Sequence, residues 1–126
     1  MIYRKLSLGL GVFSIGLGLA ELIAPRRIAR ALGVEEHEGV VRGFGGREML
    51  SGAAILAAPA ASANIWNRLA GDAMDLTSLG LALRASPKRG AVWGAIGFVA
   101  AVTALDAVVA RGLDRTTGKF LPVAAA

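Results

Sequence analysis

The chain has 126 residues, which suits one domain, and 55% of them are hydrophobic, with a mean hydropathy of +0.58. A small domain buries only part of its surface, so this much apolar material argues against an ordinary soluble protein and for lipid as its surroundings. The formal net charge of +5 gathers where apolar segments end, which argues against nucleic acid as a partner, and the absence of cysteine removes disulfides, thiolate nucleophiles and zinc–thiolate sites.

The first apolar segment covers residues 6–24 and carries one charge, Glu21. At ~1.5 Å per residue it reaches about 28 Å, enough for a hydrocarbon core of about 30 Å. Arg4 and Lys5 precede it as they would precede a signal peptide. The apolar run is too long for that, and no small-residue cleavage site follows, so the segment reads as an uncleaved first span. Ser7, Gly11, Ser14 and Gly18 recur at helical spacing and form a smooth face for a second helix.

Pro25 opens a different pattern. Arg26, Arg27 and Arg30 alternate with Ile28, Ala31 and Leu32, and Gly33 follows. Proline at the start and glycine at the end punctuate a short helix over about 25–32, amphipathic and suited to the membrane surface. Glu35, Glu36, His37 and Glu38 then read as a solvated acidic loop. His37 is the sole histidine, so no second imidazole completes a metal site.

The second span covers about 40–58 and is the least apolar, with Arg42 near its start and Arg47 and Glu48 inside. Gly39, Gly43, Gly45, Gly46 and Gly52 run along it. Residues 59–63 make a tight uncharged connection, with Ser62 or Asn64 as the expected helix cap. The third span covers about 65–85. Trp66 stands near its start, where an indole suits the headgroup level. Arg68, Asp72, Asp75 and Leu79 follow at intervals of four, three and four, so they share one face, and that face must look into a bundle.

The fourth span covers about 87–111. Ser86 caps it, Pro87 takes its first turn and Gly112 ends it. Gly90, Gly94 and Gly97 form a packing face, Trp93 is placed as an interface anchor, and Asp106 is the one clear charge inside. The tail beyond Gly112 reads as loose. The side with both termini holds five basic residues and the opposite side seven, a weak lean toward both termini outside.

Inside the spans stand Glu21, Glu48, Asp72, Asp75 and Asp106 against Arg47 and Arg68, so acids outnumber bases by three. Counted by depth, Arg68 is level with Asp106, and Arg47 can reach Asp75 or Glu21, which leaves Glu48 and Asp72 poorly neutralised. Two readings stay open: a polar network that fixes helix register, and a small polar pocket. No residue set marks a catalytic, cofactor or metal site. There is no Ser/His/Asp set, no phosphate loop, and no histidine on a span to hold haem.

The stretch 39–52, GVVRGFGGREMLSG, then 66–76, WNRLAGDAMDL, and 103–106, TALD, resemble a group of uncharacterised four-span bacterial membrane proteins. Some of these carry a C-terminal polyketide cyclase/dehydrase-like soluble domain, for which 126 residues leave no room. The resemblance implies the bundle and its charged motifs and supplies no activity.

The expectation is an all-α, four-span transmembrane bundle with one interfacial helix, multi-pass in a bacterial inner membrane. Helix packing is expected at Gly11, Gly18, Gly43, Gly90, Gly94 and Gly97, and the glycine-lined faces of the first and fourth segments suggest a structural or accessory subunit, packed against other membrane proteins or itself within the lipid. The surplus carboxylates suggest a small proton-coupled or cation/polar-solute transporter instead. A membrane enzyme acting on a lipid-soluble substrate has less support, because the acids lack a nucleophile or cofactor partner.

Overall fold

A computed structural model describes residues 2–116. Among these residues the chain is helix and turn with no strand. Its elements are α1 (Ile2–Ile23), α2 (Pro25–Ala31), a single 3-10 turn (Glu35–His37), α3 (Glu38–Ala57), α4 (Ser62–Ala85) and α5 (Arg89–Thr116). Two of these helices, α1 and α5, are both long and apolar enough to cross a membrane. The other two long helices, α3 and α4, carry Arg42, Arg47 and Glu48, and Arg68, Asp72, Asp75 and Arg84, which keep them below that apolarity.

Local chemistry explains most of the breaks. Pro25 sits at the start of α2, where its missing N–H costs nothing. Gly33 takes φ +71°, the left-handed conformation that closes a helix. The N–H of Gly33 then bonds the Arg30 carbonyl at 3.0 Å and that of Val34 bonds Ala29 at 2.8 Å. Pro25 and Ala29 are buried while Arg26, Arg27 and Arg30 are exposed, so α2 is amphipathic.

Three local expectations are corrected. The helix cap before α4 is Ala61, with no side-chain bond. Ser62 instead donates its hydroxyl to the Asp114 carboxylate on α5, and Asn64 donates its amide to the Ala54 carbonyl at 3.0 Å. Trp66 donates its indole N–H to Asp114 at 2.9 Å. Pro87, expected in the first turn of the fourth span, lies before α5, which starts at Arg89. Gly112 does not end α5, which runs four residues further, to Thr116. The ring of Tyr3 lies where a side chain at Gly112 would be, so the glycine serves a close approach of α1 rather than a stop. Most of the tail expected to be loose lies outside the described residues.

The long helices form two close pairs, α1 with α3 and α4 with α5. Glycine makes the first pair. Gly11 and Gly18 on α1 meet Gly52 and Gly45 on α3, each set seven residues apart and so on one face. A Cβ at Gly18 would stand 2.8 Å from the Gly45 carbonyl, and one at Gly52 would stand 2.8 Å from the Gly11 carbonyl. The backbones have no room for side chains there.

The pairs join at both ends. Near the N-terminus, Leu10, Ile55, Ile65, Val109, Ala110 and Leu113 form a buried core under Tyr3, Leu6 and Trp66. At the other end Ala29, Val34 and Val41 pack with Ile28, Leu32 and Ala82. Ser86 donates to the Leu32 carbonyl at 2.5 Å and Lys88 donates to Arg30 at 2.8 Å, tying the α4–α5 turn to α2. The outer faces are apolar on all four long helices, with Val12, Leu50, Met74 and Val108 among the exposed side chains.

Leucine at Gly52 should therefore push α1 off α3. Overpacking costs about 1–3 kcal/mol, so Gly52→Leu is expected to lower the thermal unfolding midpoint in detergent. Among the described residues no other helix comes within 4 Å of where a Cβ at Gly94 would be, and Gly94→Leu should leave the midpoint of the isolated chain unmoved.

Candidate functional site

The face of α4 that carries Arg68, Asp72 and Asp75 turns inward. Arg68 is 2% exposed. Its Nη1 donates to Glu48 Oε2 on α3 at 3.0 Å, and its Nε donates to Asp106 Oδ1 on α5 at 3.2 Å. Its guanidinium also lies 5.9 Å from the Phe13 ring centre on α1. Glu48 is held from a third side by Ser14, whose hydroxyl lies 2.5 Å from Oε2 and 2.8 Å from the Glu48 carbonyl.

A second guanidinium stands beside the first. Arg47 Nη2 donates to Asp75 Oδ1 at 2.9 Å and lies 3.5 Å from Glu48 Oε1. Phe44 lies 5.5 Å from it, and Gly71 on α4 supplies the space it occupies. A Cβ at Gly71 would coincide with the Arg47 guanidinium.

Each expected site residue can now be placed. Arg68 and Asp106, level by depth, are in contact. Glu48 is not poorly neutralised: it is the carboxylate with the most partners, Arg68, Arg47 and Ser14. The depth count missed this because it fixes height along a helix and not the direction a side chain takes around it. Asp72 is buried beside Asp106 and Thr103, and its Oδ2, like Asp106 Oδ2, has no hydrogen-bond partner. Glu21 Oε1 is likewise buried without a partner, and Arg47 bonds Asp75 in preference to it.

The glycines divide. Gly11 and Gly18 are spent on α3, so the glycine face of the first segment is not free for another protein. A Cβ at Gly43, Gly90, Gly94 or Gly97 would meet no other helix within 4 Å among the described residues. Sequence reasoning takes Gly45 for helix packing without naming its partner, and passes over Gly52 and Gly71 as contact positions. The seven-residue spacing shared by Gly11/Gly18 and Gly45/Gly52 was a usable signal for the first two. Ser14 was read as a packing residue, yet it bonds Glu48.

Beside the ionic cluster lies a cleft of about 390 Å³. It runs between the two helix pairs toward α2, walled by Leu32, Val41, Phe44, Leu79, Ala82 and Val99. Glu21 and Asp75 are the carboxylates that line it. Val40, Leu81 and Phe98 line it and are about half exposed, which marks where it opens. A smaller hollow bounded by Glu48, Arg68, Asp72 and Asp75 continues inward and shares Leu17, Asp75, Phe98 and Val99 with the larger one. His37 lies on the cleft wall, 3.8 Å from Glu36. Among the described residues no three His, Cys, Asp or Glu side chains gather as a metal-holding group.

No protein-family model matches the chain, and no match is found among curated proteins or among solved structures.

The two arginines carry different weight. Removing one partner of a buried ion pair costs about 3–5 kcal/mol, so Arg68→Met, which strands Asp106 and takes from Glu48 the closer of its two arginines, should prevent stable folding in detergent. Arg47 is 26% exposed, and its loss is screened. Gly71→Ala should displace the Arg47 side chain and lower the unfolding midpoint about as much as Arg47→Met does. A much smaller loss for Gly71→Ala would mean that Arg47 has another place to lie.

Proposed function

We propose that the chain is a four-span protein of a bacterial inner membrane that carries a small cationic or polar solute through its interior cleft. The observation that carries this reading is an apolar cleft bordered by two carboxylates, Glu21 and Asp75, with further buried acids behind them.

Inverted polarity supports the membrane part. Glu48, Arg68, Asp72 and Asp106 are nearly or fully buried, while Ile23, Leu50, Met74 and Leu81 are more than half exposed. Water would penalise that distribution and lipid favours it. The helices α3 and α4 have 20 and 24 residues, about 30 and 36 Å at ~1.5 Å per residue, long enough to span once their charges face inward. The basic face of α2 suits the headgroup layer. The sequence likeness to four-span bacterial membrane proteins belongs to the same reading.

The carrier part follows from charge. Carboxylates outnumber arginines inside the bundle, so a cation or a proton is the species the cluster favours. Reconstituted in liposomes with an imposed proton gradient, the protein should collapse the gradient when a carried cation is added. Asp75→Asn should abolish the collapse while helix content and unfolding midpoint hold. Flux unchanged in Asp75→Asn and Asp72→Asn sinks the carrier reading.

A second reading rests on a separate observation. Gly90, Gly94 and Gly97 lie open along α5, with Trp93 exposed among them. Such a face suits another membrane helix, from a larger assembly or a second copy. Native mass spectrometry after gentle extraction should then show a defined complex that Gly94→Leu disperses. A lone monomer would remove this reading.

A further inference from the structure

We infer that the cleft takes an amphipathic organic cation, with its apolar body against α2 and the facing stretches of α3, α4 and α5, and its charged head at Glu21 and Asp75. This rests on the carrier reading and narrows it to a substrate class.

Size comes first. A space of about 390 Å³ falls in the range of organic ligand sites and exceeds what a bare ion needs. An inorganic cation also lacks its usual surroundings, since hard cations need several oxygen ligands. The walls are chiefly aliphatic and aromatic, and no metal-holding group forms among the described residues.

Wall chemistry then sets the body. Leu32, Val41, Leu79, Ala82 and Val99 offer no hydrogen bonds from their side chains, and besides the two acids Ser78 and His37 are the polar side chains of the lining, so most of the enclosed part of the ligand must be apolar. The half-exposed lining residues Val40, Leu81 and Phe98 let such a body enter from lipid.

Charge sets the head. Glu21 on α1 and Asp75 on α4 are the acids of the lining, and no lysine or arginine lines the space. Glu21 Oε1 is buried with no partner, so it has an acceptor site to give. The nearest guanidinium, Arg47, is already engaged by Asp75 and Glu48. An anion brought here would face both carboxylates, with Arg47 held by Asp75 and Glu48 and His37 on the wall facing Glu36, and a neutral head would leave Glu21 uncompensated. A cation compensates Glu21 and adds to the partial pairing of Asp75, and the Phe98 ring on the lining can face its charge.

The test uses the full chain in phosphatidylcholine nanodiscs and three fluorescent probes: ethidium (a cation), N-phenyl-1-naphthylamine (neutral) and 1-anilinonaphthalene-8-sulfonate (an anion). Ethidium should bind saturably above empty nanodiscs. Glu21→Gln, a near-isosteric change, should weaken it by about tenfold or more, since a hydrogen bond to a charged group is worth about that factor. Asp75→Asn should do the same. Ala82→Trp should block the space, with Ala95→Phe as a second filling variant if the first does not fold. Unfolding midpoints check each variant.

Ethidium binding that ignores both Glu21→Gln and Asp75→Asn overturns the assignment of the head. Saturable binding of the neutral or anionic probe, removed by Ala82→Trp and without ethidium binding, overturns the cation and leaves a ligand cleft. No saturable binding by any probe, with the liposome flux intact, overturns this inference while the carrier reading stands. Loss of both overturns the two together.

Discussion

Everything in this bundle depends on where one guanidinium goes. Arg68 projects from α4 into the centre and meets Glu48 of α3 and Asp106 of α5, with the Phe13 ring of α1 over it. Glu48 returns the connection to α1 through Ser14. A single side chain therefore has direct or one-step contact with every other long helix. A buried charge is tolerated only if it is paired and hydrogen-bonded, so moving any one helix away from these contacts is costly. Glycines set how closely α1 and α3 approach, but they would allow sliding along the face. The hydrogen bond from Ser14 to Glu48 resists it.

The same cluster separates two roles that the sequence leaves tangled. Arg68, Glu48 and Asp106 lie deepest and do not border the large cleft. Asp75 and Glu21 do border it, and Arg47 sits between the two groups, bonded to Asp75 and near Glu48. A lock and a pocket are thus neighbours in one network. The lock holds its carboxylates by full pairing, and the pocket exposes carboxylates that are only partly paired. Asp72, buried beside Asp106 with an unbonded oxygen, connects the two zones through the smaller hollow.

Much of the helical order is legible because its determinants are local. Pro25 and Gly33 bracket α2, and the four- and three-residue intervals of Arg68, Asp72 and Asp75 put them on one face whatever surrounds them. What fails to be legible depends on neighbours. Gly112 has the credentials of a helix stop, yet Tyr3 passes over it and the helix continues. Gly94 and Gly52 are indistinguishable by composition, yet one faces outward and the other touches α1. The partners of Glu48 depend on how α3 is rotated, which no count along its own sequence supplies. The cleft is the hardest case, because it belongs to the space between helices and not to any residue pattern.

The uneven apolarity of the long helices has a consequence for biogenesis. On the membrane reading, α1 and α5 can each partition into lipid unaided. The helices α3 and α4 cannot, since an arginine or aspartate at a helix centre costs about 2.5–3.5 kcal/mol on insertion scales. Their charges become tolerable only in company. The short connection between Ala57 and Ser62 keeps the two helices together, and Arg47 of one already answers Asp75 of the other. The insertion machinery would therefore have to hold α3 in a sheltered, partly aqueous setting until α4 emerges, and release them as a hairpin. Asp106, on the helix that follows, would complete Arg68 only after that, so the ionic centre closes once α5 joins the hairpin.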